Sequence, residues 1–248
     1  MSDESTLGLA LSGGGAYGAA HVGVLQELRE RGIRPGIVAG TSSGALVAAA
    51  YAAGVPQDAI ERAALAFKWS SIARMSLSVR LGLLDSGALT EAVHRTLGED
   101  PLIEDLPRRF AAVATDMRTR QAVVIDKGPL NVALRATIAV PGLLPPVRRG
   151  AQVLMDGGMV DNVPVGAARG LGASTVIVVR LHAKWENVRM MRVASTAAEL
   201  EEDPSVILIQ PEMEGLAQWS MADVPHLIEE GRRATREALD AAGRTPHG

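Results

Sequence analysis

The chain has 248 residues, 47% of them apolar and 21% charged, with no cysteine and a formal net charge of −3. The missing cysteine excludes a disulfide framework, a thiol nucleophile and any Cys-ligated zinc or iron–sulfur centre. The weakly acidic balance gives no reason to expect a nucleic-acid binder, and the length suits one sizeable α/β domain that needs no staples.

The elements follow from the pattern of apolar residues. Leu7 to Leu11 reads as a buried strand, Gly13 to Gly18 as a loop and Ala19 to Arg31 as an amphipathic helix closed by Gly32. Gly36 to Ala39 reads as a second strand and Ser43 to Ala53 as an apolar, buried helix. Pro56 opens a helix that runs to about Phe67. Helices are then predicted at Asp85 to Leu97, Leu130 to Ala139, Pro164 to Arg169 and Val224 to Ala241. Strands are predicted at Phe110 to Thr115, Ala122 to Ile125, Gln152 to Met155, Thr175 to Val179 and Val206 to Ile209. The stretch from about Ala183 to Pro204 has no strand signal. Alternating strands and helices imply an α/β fold, a three-layer sandwich with a mostly parallel central sheet.

Glycine is in excess early, with 11 of 26 in the first 54 residues. The backbone there must turn sharply or approach something closely. Ser12-Gly13-Gly14-Gly15-Ala16-Tyr17-Gly18 follows a strand and opens a helix. It satisfies Gly-x-Gly-x-x-Gly, but the second strand ends without the acid that a ribose needs. No Lys and Ser/Thr follow Gly18, so it is not a phosphate-binding P-loop. What remains is an anion cradle of backbone N–H groups at a helix start, or a tight turn with no ligand.

Gly40-Thr41-Ser42-Ser43-Gly44 matches Gly-x-Ser-x-Gly between a strand and a helix, the setting of a nucleophile elbow. If the first two strands are parallel neighbours, both loops lie at one carboxyl edge of the sheet. One then supplies a nucleophile and the other an oxyanion hole. The nucleophile needs a base. Asp156-Gly157-Gly158 closes a strand, and a carboxylate whose pKa is raised, or that is held at hydrogen-bond distance, can serve; the alternative is a turn aspartate bonded to its own backbone. Asp161 is a competing acid. Among the histidines, His182 is the plausible triad member and His226 a poor second. Each of these two reads better as a solvated loop histidine, while His21 and His94 fall in helices and His247 at the frayed end.

These motifs, with Asn162-x-Pro164 after the third, resemble the patatin-like phospholipases, most closely their small bacterial members. Ala112-Val113-Ala114-Thr115-Asp116 and Ala139 to Pro146 are lesser similarities. The likeness runs from Leu7 to about Leu239, so one patatin-like domain is expected over residues 1–248. The resemblance implies a Ser42–Asp156 dyad that hydrolyses lipid acyl esters, with Gly13, Gly14 and Gly15 as the oxyanion hole. It implies no metal, no other cofactor and no histidine, and its substrate is a phospholipid or lysophospholipid. The family usually has Lys or Arg where this chain has Tyr17, which carries no charge. That departure motivates an alternative, a weakly active or non-catalytic lipid- or acyl-binding module.

The start of the chain is acidic, unlike a signal peptide. The apolar run Gly44 to Val55 has 12 residues, short of the ~20 that span a bilayer. A cytoplasmic protein is expected, with peripheral membrane contact. Phe67 to Leu84 and Lys184 to Val193 are cationic and apolar, and suit an anionic bilayer or a lid, or ordinary core with solvated arginines.

Overall fold

A computed structural model describes residues 6–66, 100–181, 197–217, 220 and 222–243. In chain order the elements are β1 (Leu7–Leu11), α1 (Ala20–Glu30), β2 (Ile37–Thr41), α2 (Ser43–Ala52), α3 (Gln57–Ala66), β3 (Arg109–Asp116), β4 (Gln121–Ile125) and α4 (Leu130–Thr137). They continue as β5 (Val147–Arg149), β6 (Gln152–Asp156), α5 (Val165–Gly170), β7 (Thr175–Val179), α6 (Ala197–Glu201), β8 (Val206–Ile209) and α7 (Val224–Ala241).

The described strands form one sheet in the order β5-β6-β3-β2-β1-β7-β8, with β4 also paired to β3. From β3 to β8 every pairing is parallel. All residues of β1 and β2 are buried, as expected of central parallel strands covered on both faces. Alternation along β1 divides the core. Leu7, Leu9 and Leu11 join the larger cluster with Leu25, Leu28, Ala48 and Leu227, from α1, α2 and α7. Ala10 points the other way, to Val165, Ala168 and Leu200 of α5 and α6. The sheet is therefore the middle of three layers. Among the described residues no helix is long and apolar enough to cross a membrane.

The sheet departs from a purely parallel reading at one place that matters. β4, β5 and β6 are antiparallel to their neighbours. β3 pairs with β2 over Arg109 to Val113, with β4 over Ala112 to Asp116, and with β6 over Ala114 to Asp116. Since β4 overlaps both of the others, β2 and β6 must share the opposite edge of β3. They meet there head-on. β2 ends at Thr41 beside Val113, and β6 ends at Asp156 beside Ala114.

Other differences are local. A 3-10 turn, Gly15–Ala19, precedes α1 where a plain loop is expected. β2 runs on to Thr41 and β6 to Asp156. The strand β5 and the short helix α6 carry too few residues for a periodicity to show. The helix expected at Asp85 to Leu97, the segments Phe67 to Leu84 and Lys184 to Val193, and His94, His182 and His247 lie outside the described residues.

Candidate active site

Ser42 sits between the last residue of β2 and the first of α2. Its backbone has φ 51° and ψ −125°, a conformation that costs a non-glycine residue on the order of 1–3 kcal/mol and persists only where the surroundings impose it. Two surroundings do so. A Cβ on Gly44 would lie 2.3 Å from Leu11 O and 2.5 Å from Ser12 O, so only glycine lets the start of α2 rest on the end of β1. The Ser42 N–H, left without a helical acceptor by this turn, donates to Thr137 Oγ1 at 2.8 Å. The Thr137 hydroxyl in turn donates to Val113 O.

Asp156 arrives from the opposite strand direction. Ser42 Oγ donates to Asp156 Oδ2 at 2.7 Å. The other oxygen, Oδ1, accepts the Gly158 N–H at 2.8 Å. The backbone of Asp156 is fixed as well: its N–H donates to Ala139 O at 3.0 Å, and its carbonyl accepts from Thr115 Oγ1 at 2.8 Å. Both side chains are buried, Ser42 8% and Asp156 7% exposed. Burial pushes the Asp156 carboxyl up to about 6, and the hydrogen bonds from Ser42 and Gly158 only partly oppose it.

The first glycine loop lies against this pair. A Cβ on Gly13 would stand 3.1 Å from Ser42 Cβ and 2.6 Å from Asn162 Oδ1. Asn162 grips the loop from its other side: its carbonyl accepts the Gly13 N–H at 3.2 Å, and its Nδ2 donates to Gly13 O at 3.4 Å. The Gly14 N–H donates to Ser43 Oγ at 3.1 Å. The Gly15 N–H has no acceptor among the described residues. Of the three glycines, only Gly15 therefore has an N–H without an acceptor among the described residues, while Gly13 gives its N–H to a backbone carbonyl and Gly14 to a serine hydroxyl.

The competing groups stand elsewhere. Asp161 is also pushed up to about 6 by burial, and its Oδ1 has no partner among the described residues. The Ser42 hydroxyl is directed to Asp156, and Asp161 meets this region through its carbonyl, which accepts from Thr41 Oγ1 at 3.0 Å. His21, in α1 as expected, is fully buried, with Nε2 2.8 Å from Ser12 O, and burial lowers its imidazole to about 4. A neutral ring with its proton on Nε2 tethers the start of the glycine loop. His226 is exposed in the first turn of α7.

Tyr17 points away from the glycine N–H groups. It is 1% exposed, packed in the larger core cluster, and its hydroxyl donates to Leu216 O at 2.8 Å. Thr137 and Asn162 are positioning residues whose roles the sequence does not announce. A threonine in the last turn of a helix has no distinguishing context, and Asn162 signals only a motif. Among the described residues no three acidic or imidazole groups converge as a metal site would require.

A serine hydroxyl hydrogen-bonded to a buried carboxylate, beside a glycine loop and ahead of a helix, carries the parts of a hydrolase. The family model for patatin-like phospholipases matches residues 9–169, well over half of the chain. The chain belongs to the patatin-like phospholipase family. Ser42, Asp156 and the glycine loop all fall inside the patatin-like match. An uncharacterized NTE family protein of Mycobacterium tuberculosis is 32% identical over 95% of this chain and 47% of its own length. A patatin-like phospholipase domain-containing protein of Caenorhabditis elegans is 42% identical over 70% of this chain and 13% of its own length. The chain thus spans about half the length of the bacterial relatives it matches. VipD of Legionella pneumophila superposes with a TM-score of 0.65 at 15% identity, over 96% of this chain and 67% of that one. ExoU of Pseudomonas aeruginosa gives 0.53 at 16% identity, over 98% and 53%. These two share the patatin-like fold.

Proposed function

We propose that the protein is a serine acyl-ester hydrolase acting on phospholipid or lysophospholipid, with Ser42 as nucleophile and Asp156 as base. One observation carries the reading: the 2.7 Å hydrogen bond from Ser42 Oγ to Asp156 Oδ2, between two buried groups. Family membership supports the lipid ester as substrate class.

Asp156 takes the Ser42 proton as Oγ attacks the ester carbonyl carbon. The carbonyl oxygen becomes an oxyanion on the glycine loop. It takes the Gly15 N–H and displaces the Ser43 hydroxyl from the Gly14 N–H, and such donors are each worth about 10²–10³ in rate. The proton passes from Asp156 to the departing alkoxide, leaving an acyl ester on Ser42. Water then attacks that ester with Asp156 again as base, the free fatty acid leaves and Ser42 regains its proton.

The alternative, a non-catalytic lipid- or acyl-binding module, drew on Tyr17. That ring is in the core and leaves the loop donors untouched, so it does not favour the alternative. Hydrolysis of a chromogenic acyl ester and of lysophosphatidylcholine by wild type, Ser42→Ala and Asp156→Asn tests the proposal. Both variants should fall by about 10³ or more. Full activity in either removes the dyad.

A further inference from the structure

We infer that the surface at the far end of β3 is a docking face for an anionic lipid bilayer. It comprises the β3–β4 turn Met117 to Arg120, the segment 140–146 and the β5–β6 turn. The inference rests on the lipid-ester reading and adds where the interface sits.

Charge singles the region out. Residues 117–150 carry six basic side chains (Arg118, Arg120, Lys127, Arg135, Arg148, Arg149) and one acid (Asp126), a balance of +5 in a chain whose total is −3. Arg118, Arg120 and Arg148 are exposed and Arg149 is half-buried. None of these four makes an ion pair with the described residues, so their charge is available to phosphate, which guanidinium binds well. The face also holds two of the five large apolar side chains that the described residues leave exposed, Met117 and Leu143. Basic and apolar groups together are the two signals that hold a protein at an anionic membrane surface.

Hydrogen bonds join the two turns, and chain continuity brings segment 140–146 to β5 beside them. Met117 N donates to Val153 O at 2.9 Å, and Arg118 Nη1 donates to Ala151 O at 3.1 Å. Arg149 pairs with Gln152 across the β5–β6 turn, and its Nη2 donates to Lys127 O at 3.2 Å. Segment 140–146 begins beside Ala139, whose carbonyl holds the Asp156 N–H, and ends at β5. The surface is also close to the dyad. From Gln152 at the patch to Asp156 is four strand steps, about 13 Å at about 3.3 Å each. One leaflet of hydrocarbon is about 15 Å thick. A bilayer seated here brings its acyl esters within about one leaflet of Ser42.

Flotation with vesicles tests this on the full chain carrying Ser42→Ala, so that no lipid is consumed. Binding to vesicles of phosphatidylcholine with 30% phosphatidylglycerol should exceed binding to pure phosphatidylcholine and weaken as salt rises. The variant Arg118→Glu/Arg120→Glu/Arg148→Glu should lose about tenfold or more in partitioning. Leu143→Asp should also weaken it. In the Ser42 background both should hydrolyse a soluble chromogenic ester at the wild-type rate, which reports an intact fold. Arg29→Glu/Arg34→Glu, at the other end of the sheet, should bind vesicles as wild type does. The inference is overturned if the parent does not bind anionic vesicles, if the triple variant binds them undiminished, or if Arg29→Glu/Arg34→Glu loses as much. Undiminished binding by the triple variant would leave its arginines to another anionic partner, protein or nucleic acid. Vesicle binding is read without turnover, so a failure of the dyad and a failure of this surface are separate results.

Discussion

The backbone N–H of Ser42 is held by the side chain of Thr137, 95 residues away, at 2.8 Å. The same hydroxyl donates to Val113 O, the last β3 residue paired with β2. One threonine thus satisfies the strained turn and fastens it to the sheet beside Asp156. Thr137→Val keeps the shape and removes the acceptor, leaving a buried N–H unpaired at about 1–3 kcal/mol. Activity against a soluble ester should fall about tenfold in kcat with KM little changed, and Thr137→Ser should restore most of it. Wild-type kcat in the valine variant would mean that the turn holds itself.

The raised carboxyl of Asp156 sets a pH limb. As a base it works as the carboxylate, and burial holds its pKa at about 6. The rate with a soluble ester should rise through about pH 6 and level off above 7. Asp161, also pushed up to about 6, should not set this limb, so Asp161→Asn should keep it. Loss of the limb in Asp161→Asn would assign it to the wrong carboxylate.

The same shift has a stability consequence of opposite sense. A carboxyl whose pKa is raised from 3.8 to about 6 on folding binds its proton more tightly in the native state. The stability this confers is full below about pH 4 and is lost as pH rises through about 6. Asp156→Asn removes the buried charge and offers a donor to Ser42 Oγ and an acceptor to the Gly158 N–H. It should be more stable than wild type by about 2–3 kcal/mol at pH 8, with the gap closing by pH 4. Buried His21 acts in the contrary direction over that window, but equally in both proteins. Denaturant melts at the two pH values measure the gap, and a pH-independent difference would contradict the assigned shift.

Gly157 and Gly166 make a contrasting pair. A Cβ on Gly157 would lie 2.2 Å from Val113 O, whereas one on Gly166 would meet nothing within 4 Å. Gly157→Ala should cost about 3 kcal/mol or more and separate Asp156 from Ser42. Gly166→Ala, at an exposed position of α5, should be neutral or stabilising by up to about 1 kcal/mol. Equal melting temperatures for the two variants would mean that β6 does not pass β3 as closely as described.

The sequence made Ser42, Asp156 and the glycine loop legible because each needs unusual local chemistry: glycines in sharp turns, and a carboxylate closing a strand. The parallel strands were legible from their continuous apolar runs, and Val224–Ala241 from its amphipathic period. The antiparallel arrival of β6 was not, because strand direction depends on which edge of β3 is free, a tertiary matter. Thr137 and His21 were hidden for a related reason. Each is ordinary in its own helix and acquires its role from a backbone atom that another segment brings alongside. Tyr17 was legible as a departure from the family pattern, yet its side chain turns to the core and Leu216, a direction that no local pattern encodes.

The most direct test of the account is fluorophosphonate labelling followed by peptide mass spectrometry. The account predicts one adduct per chain, located by fragmentation on Ser42 and not on Ser43, formed quickly in wild type, slowly in Asp156→Asn and not at all in Ser42→Ala. A folded wild type that takes no label, or takes it on another serine while Ser42 stays free, would contradict it.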